Sequence, residues 1–91
     1  MIERPDKLNN QAILLASDGD YTSAIACFKR AITMEKQNYL LWYNLGLTYR
    51  DAGDLKKAKH AIKQANEINP SNEEVVESLA IKSNNPDYNI N

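Results

Sequence analysis

The stretch WYNLGLTYRDAGD, residues 42–54, decides the fold. With Leu41 in front of it, apolar side chains fall at Leu41, Trp42, Leu45, Thr48 and Tyr49, the i, i+3, i+4 and i+7 spacing of one helix face. A face this broad over residues 39–52 has to be buried. Gly53 then supplies the residue type that most easily takes a left-handed conformation at a helix end. Asp54 can accept hydrogen bonds from the free N–H groups of a following helix, a contribution of ~1 kcal/mol. The segment therefore reads as helix, tight turn, helix.

The second helix is predicted over residues 55–68, with Leu55, Ala58, Ala61, Ile62, Ala65 and Ile68 on one stripe and Lys56, Lys59, Lys63 and Glu67 turned to water. Its alanines allow two helix axes to approach closely. Pro70 cannot continue a helix, and Ser71 with Glu74 forms a capping box that starts another one through Val75, Val76, Leu79 and Ala80. Upstream the same plan recurs: a helix near 6–18, a turn at Asp18, Gly19 and Asp20, and a helix near 21–35. At a lag of 34 residues Gly19 falls on Gly53, Asp20 on Asp54, Ala24 on Ala58 and Ala31 on Ala65. Asn10 likewise falls on Asn44, Lys29 on Lys63 and Asn38 on Asn72. A period of this size marks stacked helical units, and the recurring residues are the small and turn-forming ones that fix geometry.

The totals restrict function. A chain of 91 residues fits one compact domain, and its 43% hydrophobic and 25% charged residues are those of a soluble globular protein. A net charge of -1 removes the general electrostatic case for nucleic acid, which needs a clear positive excess on one face. The lone Cys27 forms no internal disulfide and offers no cysteine set for zinc, so a reducing, cytoplasmic setting is expected. Glu3, Arg4 and Asp6 stand where a signal peptide needs an apolar run, and no later segment reaches membrane-spanning length. No cofactor, metal, nucleic acid or membrane is expected.

Trp42, Leu45, Gly46, Tyr49, Ala58, Ile62, Ala65 and Pro70 resemble the tetratricopeptide repeat (TPR) signature W-x2-L-G-x2-Y, A-x3-F, A, P at that family's spacing, with Ile62 in place of Phe. One repeat upstream the pattern is carried by Leu8, Gln11, Ala12, Leu15, Ala24, Phe28 and Ala31, with Lys36 in place of Pro. The resemblance implies an all-α domain over residues 1–84, a right-handed superhelical stack of antiparallel helix pairs. Repeat one spans 5–38, repeat two 39–72 and a capping helix 73–84, followed by a flexible tail over 85–91. Trp42 and Tyr49 then fill the space between paired helices, and Gly46 lets the facing helix come close.

The same resemblance implies a non-enzymatic interaction module whose first helices line a concave groove for a peptide segment of a partner protein. The family's groove positions map onto Asp6, Asn9, Ile13, Ala16 and Ser17, onto Leu40, Tyr43, Leu47, Arg50 and Asp51, and onto Glu74, Glu77 and Ile81. Ile13, Tyr43, Leu47 and Ile81 would form an apolar floor, Arg50 would stand in the middle and carboxylates along the rim. That calls for a peptide with apolar anchors and basic flanks. A chaperone C-terminal tail is not expected, because of the residues of the family's carboxylate clamp only Asn44 is matched. Asn9, Ile13, Glu74 and Ser78 hold the other positions, two of them in place of cations. Asn44 itself reads as structural. The groove set is thus Asn9, Ile13, Leu40, Tyr43, Asn44, Leu47, Arg50, Glu77 and Ile81. The alternative is a scaffold module that self-associates through exposed apolar helix faces, since terminal repeats leave one face open.

Catalysis finds no support. His60 lies among lysines, with Gln64 rather than a ligand or carboxylate one turn on, and reads as a solvated histidine. Cys27, beside Phe28, reads as a small buried hydrophobe. Lys56, Lys57, Lys59, His60 and Lys63 read as a solvated helix face rather than a docking patch, although Lys56 and Lys57 oppose the helix dipole in a first turn. The acidic Glu67, Glu73, Glu74 and Glu77 would offer such a patch a counterpart in another copy. Tyr88 and Ile90 lie in the tail, where the plain reading is a frayed end.

Overall fold

The computed structural model describes residues 3–70. The capping helix expected over 73–84 and the tail lie outside the described residues. Within them the chain forms α1 (Pro5–Ser17), α2 (Tyr21–Met34), α3 (Tyr39–Asp51) and α4 (Leu55–Ile68), with no strand among the described residues. The helices pair as hairpins, α1 with α2 and α3 with α4, and the hairpins stack mainly through α2 and α3.

Each helix begins and ends for a local reason. Pro5 opens α1, where its missing N–H costs nothing and its fixed φ suits a helix. Asp20 accepts from the Ser23 N–H at 3.3 Å and Asp54 from the Lys57 N–H at 3.1 Å, capping α2 and α4. Asn38 caps α3 by accepting from the Leu40 N–H at 3.1 Å. The two hairpin turns are copies of each other. Gly19 has φ +83° and Gly53 φ +91°, a left-handed region that costs other L-residues ~1 to 2 kcal/mol. The Gly19 N–H reaches Ala16 O and the Asp20 N–H reaches Leu15 O, each at 2.9 Å. In the second copy the Gly53 N–H reaches Arg50 O at 3.0 Å and the Asp54 N–H reaches Tyr49 O at 2.9 Å. This paired closure satisfies the last carbonyls of the first helix, and the same aspartate then caps the next.

Packing follows the recurring small residues. Phe28, Leu41 and Ile62 are the largest fully buried side chains, set among Ala12, Ala24, Ala31, Ala58, Ala61 and Ala65. Gly46 has no space for a side chain: a Cβ there would lie 2.5 Å from Ile62 Cγ1 and 3.1 Å from the Ala58 carbonyl oxygen. Tyr49 is buried and Trp42 is half-buried against the core, as expected of a hairpin interior. Trp42 also donates its Nε1–H to the Lys36 carbonyl at 3.0 Å, tying α3 to the loop that precedes it.

One packing expectation changes. Leu55 does not continue the buried stripe of α4 but is 60% exposed, and burial begins at Ala58. Leu55 is the first residue after the Gly53–Asp54 turn, so it stands at the hairpin's end rather than between its helices.

Candidate functional site

The first helices of the two hairpins, α1 and α3, hold those expected groove positions that fall within the described residues. Asn44 donates its Nδ2–H to Asn9 Oδ1 at 3.0 Å, a part-buried bond that ties α3 to α1 across the stack. Both amides are thereby oriented toward each other. Below that bond Ile13, Ala16, Ser17, Phe28, Asn44, Leu47, Thr48 and Asp51 enclose a cleft of about 280 Å³. Ile13 is 42% exposed, Leu47 half-buried, and Thr48 buried with its hydroxyl donating to the Asn44 carbonyl at 2.8 Å. The floor is thus apolar at Ile13 and Leu47, and the Asp51 carboxylate also lines the cleft.

The structure brings together Asn9, Ile13, Asn44 and Leu47, and places Leu40, Tyr43 and Arg50 elsewhere. Leu40 lies with Asn9 in a neighbouring hollow of about 450 Å³, lined also by Arg4, Pro5, Asp6, Glu35, Asn38 and Leu41. Tyr43 is half-buried and packs with Leu47 against Ile62 and Ala65 of α4. Arg50 does not stand in the middle of the floor. It is exposed, outside the cleft's lining, and its Nε lies 3.3 Å from Asp51 Oδ1. Position 50 follows the buried Tyr49 and so turns outward, where its neighbour on the chain is the nearest anion. Glu77 and Ile81 lie outside the described residues, as do Glu74 and Ser78.

A second cleft opens between the second helices. Lys29 and Ile32 of α2, Trp42, Leu45 and Tyr49 of α3, and Lys57, His60 and Ala61 of α4 line about 320 Å³. Its floor is apolar and its rim basic. The Lys57 ammonium sits 5.8 Å from the centroid of the Tyr49 ring and 3.9 Å from Asp54 Oδ2, contacts that offset its unfavourable place in the first turn of α4. The sequence pattern missed this cleft because the lysines of α4 and Lys29 of α2 are far apart in the chain.

Among the described residues no group of histidine, cysteine, aspartate and glutamate is gathered to hold a metal ion. His60 is exposed and Cys27 half-buried against the core. Among them, too, no helix is long and apolar enough to cross a membrane.

Comparison with known proteins agrees with the geometry. The chain is 27% identical over 66 residues to anaphase-promoting complex subunit 3 of Schizosaccharomyces pombe, covering 72% of this chain and 10% of that protein. It is 34% identical over 53 residues to protein bimA of Emericella nidulans, covering 58% of this chain and 7% of that one. The chain thus spans a tenth or less of the length of these curated relatives. Among solved structures, the second TPR of Spaghetti (RPAP3) bound to the HSP90 peptide SRMEEVD superposes with a TM-score of 0.82 at 20% identity, over 89% of this chain and 75% of that one. Naa15/Naa10 bound to HypK-THB gives a TM-score of 0.81 at 26% identity, over 88% of this chain and 12% of that one. Residues 15–81 match the sequence profile of the tetratricopeptide repeat, well over half of the 91 residues. With its paired helices, twin turns and recurring alanines, the chain belongs to the tetratricopeptide repeat family.

Proposed function

We propose that this domain is a non-enzymatic adaptor that holds a peptide segment of a partner protein in the groove between α1 and α3. The observation that carries this reading is the cleft under the Asn9–Asn44 bond, where Ile13 and Leu47 present apolar surface beside Asp51. An apolar anchor of the peptide seats there and a basic flank meets Asp51 and Asp6. The HSP90 peptide named for the structural neighbour is not transferred. Asn9 is bonded to Asn44, and Ile13 stands at a second clamp position, so these two positions of the α1 face bring no cation to a carboxylate.

A second reading is favoured by Leu14, which is 67% exposed on α1, the first helix of the stack, along with Leu40 at 44%. In that reading the domain is a scaffold that assembles through such faces, either with copies of itself or within a larger complex.

One experiment separates them. Ile13 and Asp51 are exposed, so Ile13→Lys with Asp51→Lys leaves the core intact. Partner capture from a native extract should fall to background in this variant while sedimentation of the purified chain is unchanged. Unchanged capture sinks the groove reading, and an oligomer that dissolves on Leu14→Lys supports the scaffold.

A further inference from the structure

We infer that the cleft between α2 and α4 is a second docking site, which takes one apolar side chain of a partner's peptide flanked by carboxylates. It is distinct from the groove between α1 and α3 in position and in charge. Its floor is built from Ile32, Trp42, Leu45, Tyr49 and Ala61, and its three polar lining residues, Lys29, Lys57 and His60, all carry or can carry positive charge. Among the described residues no carboxylate lines it. Lys29 and His60 are exposed, and among the described residues neither has an ion-pair partner, whereas Lys57 at the same rim is paired with Asp54. Two basic side chains without an ion-pair partner among the described residues thus line one apolar floor, an arrangement complementary to acidic residues beside a hydrophobic anchor.

The dimensions select the ligand. A volume of about 320 Å³ stands at the lower end of the ~300 to 1,000 Å³ of binding pockets, enough for one large side chain and its flanks. Nucleic acid needs a continuous basic track along its phosphates, and three rim residues around a hollow do not make one. A bilayer is entered by protruding apolar residues, and here the apolar atoms lie at the bottom of a cleft. The indole of Trp42 and the phenol ring of Tyr49 give the floor the rigid aromatic surface typical of sites where one anchor residue dominates affinity.

Trp42 makes the test direct, because it is the chain's one tryptophan and lines this cleft but not the groove. The 91-residue chain, labelled with nitrogen-15, is titrated with a blocked peptide Glu-Asp-Phe-Glu-Asp while its single indole N–H resonance is followed. Controls are the same peptide with Ala in place of Phe, and Lys-Arg-Phe-Arg-Lys. The acidic Phe peptide should shift the resonance saturably and both controls should leave it in place. Lys29→Glu with His60→Glu, on exposed positions, should weaken binding by about tenfold or more, while Ile13→Lys in the groove leaves it unchanged. An unmoved indole at millimolar peptide overturns the inference. So does an equal response to the basic peptide, or a response only to anionic vesicles or an oligonucleotide. An indole shift that depends on protein concentration without peptide assigns the cleft to a second copy of this chain and overturns it as well. Loss of binding in the groove variant alone returns the ligand to the groove and leaves this cleft without one.

Discussion

Gly46 and Ile62 are in contact at a distance that excludes any side chain on the glycine, since an added Cβ would sit 2.5 Å from Ile62 Cγ1. Ile62 is fully buried and Ala58 O lies 3.1 Å from the same point, so neither neighbour can withdraw freely. Overpacking of this kind costs ~1 to 3 kcal/mol, while glycine to alanine inside a helix returns ~1 kcal/mol of propensity. Gly46→Ala is therefore expected to be destabilising by a net ~1 kcal/mol in urea denaturation. Together with Ile62→Ala it should cost less than the sum of the two single changes, with a coupling of ~0.5 kcal/mol or more. Strict additivity would show that α3 and α4 do not meet at this point.

The glycines of the turns act through the backbone. Gly19 and Gly53 have open space where a Cβ would go, yet both have positive φ. Gly53→Ala is expected to cost ~1 to 2 kcal/mol, and Gly53→Asn clearly less, because asparagine tolerates the left-handed region. The same pair of substitutions at Gly19 should give the same order. Equal losses for Ala and Asn would point to packing instead.

Asp54 closes one helix and opens the next, through its backbone N–H to Tyr49 O and its side chain to the Lys57 N–H. Asp54→Ala keeps the first and removes the second, for an expected loss of ~1 kcal/mol. The exposed Lys57–Asp54 ion pair adds little to that figure. Asp54→Asn should restore most of the loss, a result that separates the cap from the charge.

Trp42 contributes in two ways that a conservative change can divide. Trp42→Phe retains an aromatic ring against the core but deletes the donor to the Lys36 carbonyl. A loss of ~0.5 to 1.5 kcal/mol is expected for the hydrogen bond, with Trp42→Ala costing ~3 kcal/mol or more. Far-ultraviolet circular dichroism in denaturant follows both variants without needing the indole. If Phe is as damaging as Ala, the aromatic ring against the core contributes nothing and the whole loss lies with the indole and its bond to the loop.

Asn44→Ala breaks the link to Asn9 and leaves that amide partly buried without its donor, so a loss of ~1 kcal/mol is expected. Asn9→Ala removes the acceptor of the same bond and strands the Asn44 amide instead, so a similar loss of ~1 kcal/mol is expected. The double variant, read from urea midpoints, should cost less than the sum of the two single changes.

The repeat, the helices and the turns were legible in the chain itself, and for local reasons. Gly19 and Gly53 adopt a backbone that few residues tolerate, the aspartates after them cap whatever helix follows, and alanine at Ala24, Ala31, Ala58 and Ala65 recurs wherever two axes must approach. These constraints act within a few residues or repeat at a fixed interval, so a linear pattern records them. The surroundings of the candidate groove residues were legible only in part. Ile13 and Leu47 meet as their register implies, but Arg50 turned out to face its own neighbour Asp51, because the direction of an exposed side chain depends on the nearest charge. Leu55 was misplaced for a related reason: periodicity assigns a residue to a face, and only the position of the opposing helix decides whether that face is covered. The cleft ringed by Lys29, Lys57 and His60 belongs wholly to tertiary structure. It exists because stacking one hairpin on the next brings α2 and α4 to either side of Trp42 and Tyr49, a meeting of residues some thirty positions apart that no short-range pattern specifies.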